Sequence, residues 1–295
     1  MSEPELEAKP PVPEARTARR IFDWQIYCVC NYRCPYCFYA GHWKGIEREN
    51  RLIPLDVIAA SWQRIYDKYG ESEVLINGGE PTLYPQFLEL LATLDRRHRW
   101  FFSTNLWWGL DRWRALAGEV DPSRGRIQMS WHPTEAGDLD RFMEKAASIT
   151  GLGFAVTVSV VAYPPLLSVL AEHCRKFRAG GFIVTPQPFV GRFDGKDYPQ
   201  DYTPDERALV RELNRSTQSP LCQVMDYALA VTSTRGLPCA AGYQRCHITR
   251  LGDVFRCTQV ETCVQNRIGN LYAGFDLLPG ATPCPLTHCQ AGERT

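Results

Sequence analysis

Short apolar segments alternate with helical segments over residues 21–215, and this alternation limits the fold more than any other feature of the chain. Strands are predicted at 24–27, 73–77, 100–103, 127–130, 154–160 and 182–187. Helices are predicted at 54–66, 85–96, 110–118, 139–149, 166–178 and from a capping box at 203–206. Six such units predict the α/β class, with a parallel sheet covered by helices and closed into a partial (β/α)6 barrel.

Composition excludes several classes of function. The 295 residues carry 33 basic and 33 acidic side chains, and a neutral chain lacks the basic surface that nucleic-acid binding requires. No apolar run is long enough for a membrane span, no signal peptide is apparent, and residues 1–20 are expected to form a disordered tail. Twelve cysteines without an export signal favour metal ligation in a reducing cytoplasm.

Three cysteines follow the first predicted strand at offsets of four and three residues: Cys30, Cys34 and Cys37. Thiolates this close in sequence can hold one metal centre from a single loop. An iron–sulfur cube takes four ligands, so a loop with three thiolates leaves one iron open to a substrate or cofactor. Zinc remains an alternative because a two-residue gap is common in zinc knuckles, although zinc ligands usually form two separated pairs.

The second predicted strand ends in Gly78-Gly79-Glu80-Pro81. Catalytic residues of a β/α barrel lie at the carboxyl ends of its strands, which is where this run falls. Two glycines let the backbone approach a ligand closely, and the Glu80 carboxylate can receive a cation. An ordinary Gly-Gly turn closed by proline is the alternative.

The cysteine spacing, with Tyr36 as the aromatic residue before Cys37, resembles the radical S-adenosylmethionine (SAM) family, and the Gly-Gly-Glu-Pro run resembles its second motif. The resemblance implies a [4Fe–4S] cluster, SAM and an electron donor of the flavodoxin or ferredoxin type. Reductive cleavage of SAM then gives a 5′-deoxyadenosyl radical, which removes a hydrogen atom from the substrate. The SAM contacts implied are Tyr36, Gly78, Gly79, Glu80, Ser103, Asn105, Ser130 and Gln187.

A second cysteine set lies near the carboxyl terminus, around a hairpin predicted at 248–257. It resembles the twitch module, a shortened SPASM-type domain with one auxiliary [4Fe–4S] cluster. That resemblance assigns Cys239, Cys257, Cys284 and Cys289 as ligands, with Cys263 as a possible replacement and zinc as the alternative metal. The expected domains are a radical SAM barrel at 21–215 and an auxiliary domain at 216–295.

Two outcomes are open for the substrate radical. Cys246 lies between two of the expected auxiliary ligands, on a strand expected to approach the barrel mouth. A thiol there would donate a hydrogen atom to the opposite face of the radical and so epimerise the substrate, with Cys222 and Cys28 as second choices. The rival is a dehydrogenase, in which the auxiliary cluster accepts an electron and a base takes the proton.

The expected mouth of the barrel is rich in aromatic and acidic residues. They are His42, Trp43, Trp107, Trp108, Trp131 and His132, with Glu135, Asp138, Asp194 and Asp226 as partners for an amine. Aromatic faces beside polar groups suit a sugar or cyclitol, unless the tryptophans pack the barrel top. The layout resembles radical SAM enzymes of aminoglycoside pathways, including neomycin-type epimerases and cyclitol dehydrogenases. An enzyme that modifies a ribosomal peptide is the other alternative.

Overall fold

The computed structural model describes residues 19–215, 229, 231, 233–258 and 266–289. Most of the expected tail, together with Cys222, Asp226 and Cys263, lies outside these residues. The strands are β1 Ile21–Tyr27, β2 Glu73–Gly78, β3 Arg99–Thr104, β4 Gly125–Trp131, β5 Ala155–Ala162, β6 Ile183–Pro188, β7 Gly191–Phe193, β8 Lys196–Tyr198, β9 Pro238–Cys239, β10 Arg245–Ile248, β11 Asp253–Phe255, β12 Arg267–Asn270, β13 Gly274–Phe275 and β14 Thr282–Pro283.

The helices follow the predicted alternation. They are α1 Trp43–Arg48, α2 Leu55–Tyr69, α3 Phe87–Asp95, α4 Leu110–Glu119, α5 Leu139–Thr150, α6 Leu167–Ala179 and α7 Pro204–Arg215. The capping box that opens α7 is confirmed: Thr203 Oγ1 accepts from the Glu206 N–H at 3.2 Å, and Glu206 Oε2 accepts from the Thr203 N–H at 2.7 Å. Within the described residues, no helix combines the length and the apolar character that a membrane crossing needs.

One ten-stranded sheet organises the molecule, in the order β13-β12-β11-β10-β1-β2-β3-β4-β5-β6. Strands β1 to β6 pair in parallel with their sequence neighbours, which confirms the predicted α/β partial barrel. The carboxyl-terminal region continues this sheet. β10 pairs in parallel with β1, and β11 returns antiparallel as the predicted hairpin.

The sheet has one helix-facing side and one inner side. Aromatic residues of alternate strand positions pack on the helices, with ring centroids 5.7 Å apart for Phe22 and Trp62 of α2 and 5.1 Å apart for Trp131 and Phe142 of α5. Successive side chains of a strand point to opposite faces. The intervening strand residues therefore face the inner side, which is the concave side of the partial barrel.

Gly125, at the start of β4, is paired with Trp100 of β3, and a Cβ atom at this glycine would overlap the Trp100 ring. Trp100 is fully buried, so it cannot move aside. We expect Gly125→Ala to lower the free energy of unfolding by about 1–3 kcal/mol through overpacking. Denaturant titration checks this. The matched control Gly118→Ala lies in α4 with open space around it, and it should be neutral or slightly stabilising. Equal effects of both substitutions would contradict the overpacking explanation.

Candidate active site at the carboxyl ends of the strands

The cysteine loop leaves β1 at the carboxyl-terminal edge of the sheet. Cys34 is buried, while Cys30 and Cys37 are half-buried. The Cys37 N–H donates to Cys34 O at 3.1 Å, which closes a tight turn. Two other backbone N–H groups point at sulfur: Tyr32 N lies 3.4 Å from Cys30 Sγ, and Tyr39 N lies 3.5 Å from Cys37 Sγ. Such N–H groups stabilise thiolate ligands of an iron–sulfur cluster.

Burial raises the pKa of the Cys30 thiol to about 11 and that of Cys34 to about 12, and it also raises the pKa of Cys37. The thiolate forms therefore need a bound cation at neutral pH. In the described part of the chain, no three His, Cys, Asp or Glu side chains already surround a single metal-ion position.

Gly78 and Gly79 allow the backbone at the end of β2 to lie in close contact with the start of the cysteine loop. The Gly79 N–H donates to Tyr27 O, and the Glu80 N–H donates to Val29 O, both at 2.8 Å. A Cβ atom on Gly78 would collide with the Tyr27 carbonyl, and one on Gly79 would collide with the Val29 carbonyl. Gly78 also has a φ of +158°, at the edge of the region that favours glycine. The two glycines are therefore required by a close backbone contact.

The Glu80 carboxylate is engaged within the protein, whereas the sequence reasoning placed it against a cation. It is 1% exposed. Oε1 accepts from the Thr82 N–H at 3.1 Å and from the Thr82 and Thr104 hydroxyls at 2.6 and 2.8 Å, and Oε2 accepts from the Asn105 N–H at 2.6 Å. Burial raises the pKa of Glu80, and these donors oppose the rise. The carboxylate thus joins the ends of β2 and β3, and its contact with SAM stays a prediction.

Asn105 connects β3 to the cysteine loop. Its Nδ2 donates to Asn31 Oδ1 at 2.9 Å. Its side-chain Oδ1 is buried and has no hydrogen-bond partner among the described residues. A buried amide oxygen without a donor is costly, so this atom favours a ligand N–H or O–H at the site.

Leu106, which follows Asn105, has the left-handed φ of +63° although it is a buried leucine. This conformation costs a non-glycine residue roughly 1–2 kcal/mol. Two hydrogen bonds hold it: the Leu106 N–H donates to Thr104 Oγ1 at 3.0 Å, and Lys145 Nζ of α5 donates to Leu106 O at 2.6 Å. Lys145 therefore helps to fix the backbone that carries Asn105.

Tyr36 lies in an aromatic group on the other side of the loop. Its ring stacks on His132 with centroids 5.8 Å apart, and its hydroxyl lies 3.2 Å from His132 Nδ1. The Tyr163 ring completes the group at 5.2 Å from Tyr36. Burial raises the pKa of Tyr36 and lowers the pKa of His132 to about 4. His132 is therefore a neutral imidazole at physiological pH.

The inner side of the sheet carries polar residues on each of β1 to β6, together with apolar residues such as Leu75, Phe101 and Val161. The alternation within each strand places Ser103, Ser130 and Gln187, three of the expected SAM contacts, on this side. Gln25, Asn77, Gln128 and Thr157 share it, and all seven residues are half-buried. Hydroxyl and amide groups thus line the concave face from β1 to β6.

Cys246 does not lie where the sequence reasoning placed it. It pairs with Phe22, the second residue of β1, whereas the barrel mouth lies beyond Tyr27 at the other end of that strand. Neighbouring residues of a parallel pair point to the same face, so Cys246 shares the helix-facing side with Phe22 and belongs to the main core. The prediction that its strand approaches the mouth is wrong. Cys28 does lie at the mouth end, fully buried, with Sγ 3.8 Å from the Tyr39 hydroxyl.

The auxiliary cysteines are partly brought together. Cys239, Cys257 and Cys284 are buried and pack in one small cluster with Ala241. Antiparallel pairing of β9 and β14 joins two of them, because Cys239 pairs with Thr282, two residues before Cys284. Cys289 is buried too but is not part of that packed cluster. An auxiliary metal centre and its identity stay predictions.

Two expected lining residues have other roles. Trp108 packs on Phe87 and Trp113 of the helical layer, and Trp131 packs on Phe142 and Phe177. The expectation that these tryptophans line the mouth is therefore wrong.

Of the acidic residues expected to meet an amine, Glu135 lies near the cysteine loop, where its charge adds to burial in raising the pKa of the Cys34 thiol. Asp138 caps α5 by accepting from two backbone N–H groups, and Glu135 and Asp194 are exposed. Asp226 lies outside the described residues. None of the three described carboxylates belongs to an inner-face strand.

A charged group on the inner side was missed by the sequence reasoning. Asp23 Oδ1 accepts from Asn77 Nδ2 at 2.6 Å, and Asp23 Oδ2 lies 3.8 Å from His247 Nδ1 and 4.0 Å from Arg245. Burial opposes ionisation of Asp23, but the contacts with His247 and Arg245 lower its pKa overall. Asp23 and Gln25, which alternate with the apolar Phe22, Trp24 and Ile26 in β1, were the available clue to this face.

Comparison with known proteins agrees with this geometry. Residues 24–123 match the model of the Radical SAM superfamily. GTP 3′,8-cyclases are similar over a short stretch: the Klebsiella pneumoniae enzyme is 33% identical over 66 residues, which is 22% of this chain and 20% of that protein. The Haemophilus ducreyi enzyme is 31% identical over 80 residues, 26% of this chain and 23% of that protein. The chain thus spans about a fifth of the length of these relatives.

Two solved structures are similar in fold. Streptococcus suis SuiB bound to SAM has a TM-score of 0.62 and 17% identity, with 87% of this chain and 64% of that chain covered. The protein anSMEcpe with bound SAM has a TM-score of 0.63 and 13% identity, with 87% and 76% covered. The molecule therefore has the fold of these radical SAM proteins, and residues 24–123 match the Radical SAM superfamily domain.

The residues present fit the cofactors that this domain implies, one [4Fe–4S] cluster and SAM. Cys30, Cys34 and Cys37 supply three sulfur ligands with backbone N–H groups directed at two of them. Beside them lie a backbone contact that admits only glycine and the unpaired buried Oδ1 of Asn105.

The lowered pKa of His132 predicts a pH dependence of stability. Between about pH 6.5 and pH 4, His132 binds a proton in the unfolded chain but not in the folded chain. The free energy of unfolding therefore falls as the pH falls. The contribution is at most about 3 kcal/mol, at about 1.4 kcal/mol per pKa unit. Denaturant titrations from pH 7.5 to pH 4.5 should show a flatter dependence for His132→Gln than for the unsubstituted protein. Parallel curves would contradict the prediction.

Loss of the Lys145 hydrogen bond should weaken SAM binding through Leu106 and Asn105. We expect Lys145→Met to raise the KM for SAM about fivefold, the equivalent of about 1 kcal/mol, with little change in kcat. Lys145→Arg keeps a donor to the Leu106 carbonyl and should restore most of the affinity. A fall in kcat with an unchanged KM would contradict this positioning role.

Proposed function

We propose that the chain is a radical SAM enzyme that removes a hydrogen atom from a neutral polyhydroxylated molecule, a sugar or cyclitol, held on the inner side of the partial barrel. The half-buried hydroxyl and amide side chains of β1 to β6 carry this proposal. Such groups both donate and accept, so they can pair with several substrate hydroxyls at once. An aminoglycoside belongs to this class through its hydroxyl groups.

When bound, the cluster and SAM supply the 5′-deoxyadenosyl radical that takes the hydrogen atom. The chain's own contribution is placement. Asn105 lies between the cysteine loop and β3, where its free Oδ1 can orient SAM. Ser103 and Ser130 lie beside it at the carboxyl ends of β3 and β4 and face the same side as the substrate-binding groups. Such placement would serve hydrogen transfer, which needs reacting atoms about 3–3.5 Å apart.

We further propose that the substrate radical is oxidised. A carbon radical that bears a hydroxyl group becomes a ketone when it loses one electron and the hydroxyl proton. Cys239, Cys257, Cys284 and Cys289 would hold an auxiliary iron–sulfur cluster, which would supply a one-electron acceptor, and the packing of three of these thiols supports this. The Asp23–His247 pair lies near the amino-terminal end of β1, away from the mouth, so the hydroxyl proton would pass to water at the mouth.

Two other candidates are favoured by particular observations. Cys28, at the mouth end of β1, favours epimerisation with a thiol as hydrogen donor. Peptide modification is the other candidate: SuiB of similar fold has been solved bound to precursor peptide SuiA, and anSMEcpe with bound SAM and the Cp18Cys peptide. At 14–16% identity these structures bear on the fold alone.

The test is incubation of the reconstituted protein with SAM, dithionite and a panel of sugars, cyclitols and aminoglycosides in deuterated water. Mass spectrometry should find 5′-deoxyadenosine and a product two mass units lighter than its substrate, a ketone. A product with one inverted carbon that carries one deuteron would show that the enzyme epimerises its substrate and does not oxidise it. Turnover of a peptide alone would overturn the sugar assignment.

Cysteine variants provide the control for that experiment. Replacing Cys30, Cys34 and Cys37 by alanine should abolish 5′-deoxyadenosine formation, because these thiols are the proposed cluster ligands. Cys174→Ala removes a buried thiol of α6 and should leave the rate of 5′-deoxyadenosine formation unchanged. Equal activity of both variants would overturn the proposed cluster site.

A further inference from the structure

The helix α1 follows the cysteine loop and is unusually exposed. None of its six residues is buried. Three contacts hold it to the loop: the Tyr39 and Trp43 rings lie 5.3 Å apart, the Arg33 guanidinium lies 5.0 Å over the Trp43 ring, and Arg33 Nη2 lies 2.8 Å from Glu47 Oε1. Its remaining surface is open to solvent, beside the proposed cluster site.

This surface is cationic. We define the α1 surface by its exposed residues Arg33, Phe38, Lys44, Arg48 and Arg51. Residues 33–51 contain four cations against two carboxylates, a net charge of +2 in a chain whose total is zero. Glu49 is moreover paired with Arg250 of the carboxyl-terminal hairpin. The segment therefore gives a local excess of positive charge beside the cysteine loop on a neutral molecule.

The α1 surface also carries a large apolar group next to the cluster ligands. Phe38 is 75% exposed and directly follows Cys37. Arg33 Nη1 donates to the carbonyl of Cys30 at 2.6 Å, so the charged part of the surface touches the cysteine loop. A large exposed aromatic residue on a surface that also carries charges is typical of a protein-binding site.

We infer that the α1 surface docks an acidic one-electron carrier protein that reduces the cluster. This rests on the proposed function, because reductive cleavage of SAM takes one electron from outside the enzyme: the electron enters the C–S bond, which breaks into methionine and the 5′-deoxyadenosyl radical. The carrier's redox group must approach the cysteine loop, and this is the surface that borders it. Lys44, Arg48 and Arg51 attract an acidic partner, and Phe38 supplies apolar area to bury.

The test compares two electron sources on one variant. Lys44→Glu/Arg48→Glu reverses two charges of α1, where no buried residue is disturbed. With a reduced acidic flavodoxin, the initial rate of 5′-deoxyadenosine formation at low salt should fall at least about tenfold. With dithionite, which needs no docking, it should change less than about twofold. The matched control Arg175→Glu/Lys176→Glu reverses two exposed charges of α6 and should leave both rates unchanged.

Binding gives a second readout that is independent of turnover. Calorimetric titration of flavodoxin into the reconstituted enzyme should show a Kd that weakens about tenfold from low to high salt and about tenfold in the double variant. Phe38→Ser should weaken binding at both salt concentrations, because its contribution is apolar.

The remaining outcomes would overturn the inference. A double variant with the unsubstituted flavodoxin-driven rate would place the docking site elsewhere. Equal losses of rate with flavodoxin and with dithionite would show that α1 only supports the cysteine loop. If the unsubstituted protein is a dimer, the variant is a monomer and the flavodoxin-driven rate is unchanged, this face is instead a contact between copies of the chain. If the unsubstituted protein forms no 5′-deoxyadenosine even with dithionite, the proposed function itself fails, which is a distinct result.

Discussion

The close backbone contact between the end of β2 and the start of the cysteine loop is the constraint on which the rest of the site depends. It is possible only because Gly78 and Gly79 have no Cβ, since any side chain there would strike the Tyr27 or Val29 carbonyl. The two hydrogen bonds made across it carry the register of β1 and β2 past the edge of the sheet. The loop that holds Cys30, Cys34 and Cys37 thus begins from a fixed position.

A chain of polar contacts extends from this point across the mouth. Glu80 joins β2 to the end of β3 through hydrogen bonds from Thr104 and Asn105, and Asn105 reaches back to Asn31 in the cysteine loop. These groups are buried, and buried polar groups that satisfy one another specify a unique arrangement. The left-handed backbone of Leu106 is held within the same network by Lys145. Strain of this kind persists where the surroundings determine it and is common at functional sites.

The two faces of the sheet have different roles, one in stability and the other in the proposed binding of substrate. The helix-facing side is packed with aromatic rings and supplies the stability, as at Phe22, Phe102 and Trp131. The inner side carries hydroxyl and amide groups and leaves them half-buried, which a stable core alone would not require. The carboxyl-terminal region extends both faces at once, because β10 places Cys246 in the core and His247 beside Asp23 on the inner side.

The sequence by itself determined the order of strands and helices, the capping box of α7, the hairpin of β10 and β11, and the cysteine loop with its neighbouring glycines. Each of these is local: periodicity, turn chemistry and ligand spacing act over a few residues. Only the tertiary structure decided which residues of distant segments meet. Cys246 joins the core and Asp23 meets His247 because β10 pairs with β1, more than 200 residues earlier in the chain, and no local pattern encodes that register. Trp108 and Trp131 pack on helices and not at the mouth, because the face that a side chain occupies depends on the elements around it. Burial against a helix also removes the most apolar surface of a large aromatic ring from water.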